Sequence, residues 1–186
     1  MLYFIRNMVC NRCIMVVQNL FEGMGYPSVR IILGEVETQN AIPEAELEKL
    51  KTSLVGFGFE MIDDQTSVLI EKIKTLIIEM VHYNGVPIKV NHSTFIESKI
   101  GRDYNYLSAL FSDVTGVTIE RYIILQKIER VKELLVYDEL TLSEIAYELD
   151  YSSVAYLSGQ FKKVTGLTPG HFKQIKEIKR KPLDQV

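Results

Sequence analysis

The chain is short of the groups on which many enzymes and disulfide-built scaffolds depend. Among 186 residues there are only two cysteines, Cys10 and Cys13, and three histidines. Two cysteines exclude a disulfide framework. His82, His92 and His171 form no evident set with them. No Ser/His/Asp set, Gly-rich phosphate loop or converging carboxylate pair is visible, so catalysis is not expected. No apolar run approaches the roughly 20 residues of a membrane span. Met1 to Arg6 has no basic segment ahead of a long apolar stretch, so no signal peptide is read there. The expected location is the cytoplasm, with no membrane partner. An excess of one charge is lacking too: the formal net charge is −3, which by itself does not announce nucleic acid.

What is present is 47% hydrophobic residues, enough for packed cores and too many for a disordered chain. The length suits two domains. Residues 1–64 hold five Lys/Arg and nine Asp/Glu, whereas residues 65–186 hold sixteen and fifteen. Late in the second part the basic residues gather: Lys162, Lys163, Lys173, Lys176, Lys179, Arg180 and Lys181, against Glu177 and Asp184. Such a cluster suits phosphate contact. A solvated helix face with a loose basic tail explains the same charges equally well.

Residues 1–62 alternate strand and helix signals. Leu2 to Ile5 reads as a strand, and Cys13, Val16, Val17, Leu20, Phe21 and Met24 recur at helical spacing. Gly23, Gly25 and Pro27 stop that helix. Val29 to Leu33, a turn at Gly34, and Val36 to Thr38 read as a hairpin. Pro43 starts a second helix with Leu47, Leu50 and Leu54 as its buried stripe. Phe59 to Ile62 is a last strand. The order βαββαβ is the split-βαβ, ferredoxin-like plan. From Thr66 the pattern is helical throughout, beginning with Leu69, Ile73, Leu76, Ile77 and Met80, and closed by Asn84-Gly85 and Pro87. The fold class expected is therefore an α+β ferredoxin-like domain over residues 1–64, then an all-α domain over 65–186. Asp63-Asp64-Gln65 marks the boundary.

The all-α part writes one passage twice. Tyr106 to Thr118 returns fifty residues later as Tyr156 to Thr168, with eight of thirteen positions identical. A repeat of this kind marks a structural unit used twice. Ahead of the first copy, Ser93 to Gly101 reads as a short helix and Asp103 as the cap of the next. Ahead of the second, Thr141-Leu142-Ser143-Glu144 is a capping-box pattern, with Ser152 or Ser153 as the following cap. Leu107, Leu110, Phe111, Leu157 and Phe161 face inward. Gly116 and Gly166 end the second helix of each pair. This is a helix-turn-helix arrangement, twice. Between the copies, Ile119 to Leu135 is a broad-faced apolar helix.

Leu142-Ser143-Glu144-Ile145-Ala146-Tyr147-Glu148-Leu149 and Phe161-Lys162-Lys163-Val164-Thr165-Gly166-Leu167-Thr168-Pro169 closely resemble the AraC-type DNA-binding domain. The resemblance covers about residues 67–175. It implies seven helices, double-stranded DNA as partner, and recognition helices in major-groove segments about 34 Å apart. The DNA-facing positions it implies are Tyr104, Asn105, Ser108, Ala109 and Ser112 in the first unit. In the second they are Ser153, Ala155, Ser158, Gly159, Lys162 and Lys163. Members similar to this chain often carry Arg or Gln among such positions. Here Ala109 and Gly159 offer no side-chain hydrogen bond to a base, and Asp113 places an acid near phosphate. The second unit is therefore expected to lead in binding. RNA polymerase is a further partner candidate.

Met8-Val9-Cys10-Asn11-Arg12-Cys13 lies where the first strand passes into the first helix. A helix N-terminus favours the thiolate, and two soft thiolates suit Cu(I) or a similar soft ion. With the βαββαβ order, residues 1–62 resemble the heavy-metal-associated domain of copper chaperones and metal-transporting ATPases, with Asn7 in the place of the usual Gly. The resemblance implies Cys10 and Cys13 as metal ligands and a metal-donor protein as a partner. The other reading of the same residues is that Cys13 packs in the helix core and Cys10 is an incidental thiol. The functions expected are thus a one-component transcriptional regulator under soft-metal or thiol control, or a metal carrier whose helical domain docks a protein.

Overall fold

In the computed structural model, residues 1–83 and 91–174 are described. The expected helix stop at Asn84, Gly85 and Pro87 lies outside them, as do Lys176, Lys179, Arg180 and Lys181. The chain forms two compact units, Met1–Thr75 and Leu76–Val186.

The first unit contains β1 (Leu2–Arg6), α1 (Asn11–Gly23), β2 (Ser28–Ile32), β3 (Glu35–Thr38), α2 (Glu44–Gly56) and β4 (Glu60–Ile62). The strands make one antiparallel sheet in the order β2-β3-β1-β4, the split-βαβ plan. Period-2 alternation turns Tyr3 and Ile5 of β1 inward, where they pack with Val17 and Phe21 of α1 and Leu50 and Leu54 of α2. Leu47 is half-buried beside them. Each fully buried Phe or Leu contributes about 1.5–3 kcal/mol by leaving water. The Tyr3 hydroxyl accepts a hydrogen bond from the Ile42 N–H at 2.8 Å, so the phenol is satisfied inside the core.

Phe4 and Arg6 point to the other face of β1, and α3 (Gln65–His82) covers it with its first turns. Lys72 lies 4.9 Å over the Phe4 ring and 3.0 Å from Glu35, and Glu71 approaches Arg6 at 3.5 Å. Gly34, at φ +81°, also lies close to this helix: a Cβ there would come 3.3 Å from Thr75 Oγ1. The two compact units therefore divide at Thr75/Leu76, within α3, whereas the sequence reading put the domain boundary at Asp63-Asp64-Gln65. The reason lies in the sheet, whose second face needs cover that residues 1–64 do not supply. The buried stripe of α3 differs from expectation as well. Ile73, Ile77 and Met80 are buried as expected and Ile70, Ile78 and Val81 join them, while Leu69 and Leu76 are half-buried.

Among the described residues, the rest of the chain is helical: α4 (His92–Ile100), α5 (Tyr104–Thr115), α6 (Ile119–Tyr137), α7 (Leu142–Glu148), α8 (Val154–Thr165) and α9 (Pro169–Gln174). With α3 these make seven. α6 is the long central helix of the second unit. Its core face holds Ile123, Ile128, Val131 and Leu135, and also three buried polar residues, Gln126, Glu129 and Lys132. Burying them is tolerable only because they are paired: Lys132 meets Glu129 at 2.6 Å, and Gln126 donates to the Tyr122 hydroxyl at 3.0 Å.

Candidate nucleic-acid interface

Two helix pairs, α4–α5 and α7–α8, are built by the same local devices at an offset of fifty residues. Asp103 caps α5 by accepting from the Tyr106 N–H at 3.0 Å, and Ser153 caps α8 by accepting from the Tyr156 N–H at 3.1 Å. Leu107 and Phe111 are fully buried, as are Leu157 and Phe161. Gly116 and Gly166 adopt φ of +73° and +78°, the left-handed geometry in which glycine closes a helix without a Cβ penalty. Just before them, Thr115 and Thr165 stitch the turn. Each hydroxyl lies within reach of the carbonyl four residues back, at 2.7 and 2.8 Å, and accepts from the N–H two residues on, at 3.4 and 3.1 Å. Thr141 and Glu144 form the expected reciprocal capping box on α7.

The duplication runs further than the thirteen-residue match. Thr118 caps α6 and Thr168 caps the start of α9, accepting from Arg121 N–H at 3.1 Å and His171 N–H at 3.2 Å. Four residues beyond each cap an aromatic ring returns to the second helix of the pair. Phe111 meets Tyr122 with ring centroids 5.6 Å apart, and Phe161 meets Phe172 at 5.5 Å. Such tilted pairs add about 0.5–1.5 kcal/mol beyond burial. α6 and α9 thus occupy equivalent places behind α5 and α8. Sequence reasoning missed this, although Tyr122 and Phe172 stand at the same fifty-residue offset.

Residues 98–175 match the family model described as a helix-turn-helix domain. The chain carries a helix-turn-helix domain. An uncharacterized HTH-type transcriptional regulator in the cgkA 5′ region of Pseudoalteromonas carrageenovora is 32% identical over 99 residues, which is 53% of this chain and 55% of that protein. The F1 operon positive regulatory protein of Yersinia pestis is 33% identical over 75 residues, 40% of this chain and 25% of its own length. The chain therefore spans about half of the first relative and a quarter of the second. The C-terminal domain of AraT, a response regulator from Geobacillus stearothermophilus, superposes with a TM-score of 0.50 at 22% identity, covering 60% of this chain and 88% of that one. That likeness is one of fold.

Within the helix-turn-helix domain, the sequence-derived contact positions fall into two groups. Asn105, Ala109, Ala155, Gly159, Lys162 and Lys163 are exposed on α5 and α8. The others are engaged in the fold. The Tyr104 hydroxyl donates to Glu120, and burial followed by that carboxylate raises its pKa. Ser112 donates back to the Ser108 carbonyl at 2.8 Å. Ser153 is the α8 cap, and Ser108 and Ser158 are half-buried. Two exposed residues were missed: Tyr106 and Tyr156, 50% and 58% exposed at equivalent positions of α5 and α8. The signal was present, since both open the repeated passage. Arg102 lies 5.9 Å over the Tyr106 ring. Lys162 and Lys163 take part in no ion pair among the described residues, whereas Lys173 is paired with Asp138.

A cleft of about 420 Å³ opens between the two helix pairs, with α6 contributing Glu120 and Lys127. Burial lowers the pKa of Lys127, against the pull of Asp150. It also lowers that of His92, with Lys127 adding to the effect. Lys127 lies 5.3 Å over the Tyr151 ring, whose hydroxyl donates to Gln160 at 2.6 Å.

In the first unit, Cys10 is the N-cap of α1 and Cys13 lies in its first turn, with the two Sγ atoms 3.4 Å apart. Cys13 packs against the core, as one of the two readings expected. Asn7 adopts φ +72°, a left-handed conformation that Asn tolerates, and its amide donates to the Gly58 carbonyl at 2.8 Å. Burial works against the Cys10 thiolate. The Cys13 N–H and thiol, with Arg12, outweigh it and bring the pKa below the ordinary value. Burial raises that of Cys13. Among the described residues no group of three or more His, Cys, Asp or Glu is placed to hold a metal ion.

Proposed function

We propose that this protein is a sequence-specific, DNA-binding transcriptional regulator of the AraC type, acting in the cytoplasm without catalysing a reaction. The observation that carries this reading is the duplicated helix-turn-helix unit, alike in cap, core, turn and backing helix at an offset of fifty residues. Its partner is double-stranded DNA, with α5 and α8 as the reading helices and RNA polymerase as the machinery acted upon. The relatives named above are regulators, which supports the same reading. Lys162 and Lys163 supply phosphate contacts, which position the protein without selecting sequence. Base reading falls to the exposed positions of the two helices, Tyr106 and Tyr156 included. In a pull-down on random duplexes, the wild-type chain is retained and the Lys162→Glu/Lys163→Glu variant is retained much less. Equal retention of the two would overturn the role of these lysines.

The ferredoxin-like unit is proposed as the sensing part, responsive to a soft metal or to thiol chemistry. The donor set of two thiols, Cys10 and Cys13, fits a two-coordinate soft ion such as Cu(I) better than tetrahedral zinc. Cys10, the N-cap of α1, and Cys13, in its first turn, would hold such an ion. Binding to operator DNA with and without Cu(I), in wild type and a Cys10→Ser/Cys13→Ser variant, tests the coupling. Equal affinity in all four states would refute metal sensing there. A second reading is favoured by one observation: exposed Ala109 and Gly159 offer no side-chain hydrogen bond to a base. The protein would then be a metal carrier whose helical unit docks a protein, such as a metal donor. Loss of all retention on random duplexes would support it.

A further inference from the structure

The cysteine pair has a geometry suited to more than ligation. The two Sγ atoms are in contact at 3.4 Å, and both thiols are free and only half-buried. Cys10 has an extended backbone at φ −155°, ψ 168°, while the Cys13 N–H donates to the Cys10 carbonyl at 2.9 Å. A disulfide requires about 2.05 Å between the sulfurs, so a gap of about 1.3 Å remains, within reach of side-chain rotation. The loop leading into Cys10 is held by the Asn7 amide on Gly58 and by Met8, buried in the core. Cys10 is also a poor choice for its structural position. It caps α1 without any side-chain cap hydrogen bond, where the oxygen of Ser, Asp or Asn would accept from a free N–H of the first turn. A residue that serves the helix badly is explained by its chemistry.

We propose that Cys10 and Cys13 form a reversible intramolecular disulfide by exchange with a low-molecular-weight disulfide of the glutathione type. Cys10, at the positive end of α1, reacts first. Its thiolate sulfur bonds to one sulfur of the small disulfide as that S–S bond breaks, and the departing thiolate takes a proton from solvent. Cys13 then releases its proton to solvent, and its sulfur attacks Cys10 Sγ and expels the second small thiol. Two electrons pass from the protein dithiol to the small disulfide, which leaves as two thiols. Excess reduced thiol drives the steps backward. Closing the bond removes both thiolates from a soft ion, so oxidation and metal binding exclude each other. This deepens the thiol side of the sensing reading, and its test involves no DNA, so failure of one is distinguishable from failure of the other.

The experiment is incubation of the full chain with oxidised glutathione, followed by intact-mass measurement. Wild type loses two hydrogens and retains no glutathione. Cys13→Ser accumulates one glutathione on Cys10, and Cys10→Ser reacts several-fold more slowly. Cys13→Ala, checked for native circular dichroism, replaces the Ser variant should that one fail to fold. Wild type carrying a stable glutathione adduct, or forming only disulfide-linked dimers, would overturn the proposal. Equal reaction rates of the two single variants would overturn the assigned order.

Discussion

Lys162→Gln/Lys163→Gln removes two positive charges from the last turn of α8 without introducing acids. Both side chains are exposed and belong to no ion pair among the described residues, so nothing internal competes for them. Each phosphate neutralised on B-form DNA releases counterions and contributes about 0.9 to the slope of log affinity against log salt. Two contacts contribute about 1.8. Between 50 and 200 mM salt, the wild type should therefore lose roughly twelvefold more affinity than the variant. The assay is fluorescence anisotropy on a random-sequence duplex across that range, with circular dichroism to confirm unchanged helix content. Asp113→Lys supplies the converse. Asp113 occupies in α5 the place of Lys163 in α8, and replacing it should steepen the slope by up to about 0.9. Parallel salt lines for wild type and both variants would refute the placement of α8 and α5 against phosphate.

Other outcomes follow from the core and the turns. Phe111→Ala and Phe161→Ala should each cost about 3–5 kcal/mol in denaturant titration, because both rings are fully buried and each has an aromatic partner. A large loss in only one of them would argue against equivalent units. Gly116→Ala and Gly166→Ala meet no neighbour within 4 Å, so their cost is backbone strain alone, about 1–2 kcal/mol each by thermal melts. His92, whose pKa is held down by burial and then by Lys127, binds a proton more weakly folded than unfolded. Its penalty is present in full below the folded pKa and fades as pH rises toward the unfolded value near 6.5. His92→Gln should therefore flatten the rise in stability over that window, as measured by urea titrations at several pH values. An unchanged pH profile would refute it.

Much of the fold was legible because its signals are local. Asp103, Thr141, Ser153, Gly116 and Gly166 act within one helical turn of their own position, so spacing along the chain was enough to assign them. The alternation of Tyr3 and Ile5, and the stripe of Val17 and Phe21, likewise follow from the periods of strand and helix. The candidate site was less legible. Tyr104 and Ser112 look like free polar groups in sequence, but Glu120 and the Ser108 carbonyl, supplied by the folded backbone, engage them. Tyr106 and Tyr156 were in plain view yet read only as parts of a repeat, because exposure on a helix depends on what packs beside it.

The sequence by itself determined the two kinds of architecture, the duplication and the chemical character of each copy, since composition, periodicity and capping act over short distances. Only the tertiary structure decided where the units divide, with α3 turning its first half to the open face of the sheet. It also decided which polar residues α6 could bury, and that Tyr122 and Phe172 complete the two repeats by packing at an angle against Phe111 and Phe161. These outcomes depend on which surfaces meet, and burial and pairing energies are set by the partner as much as by the residue.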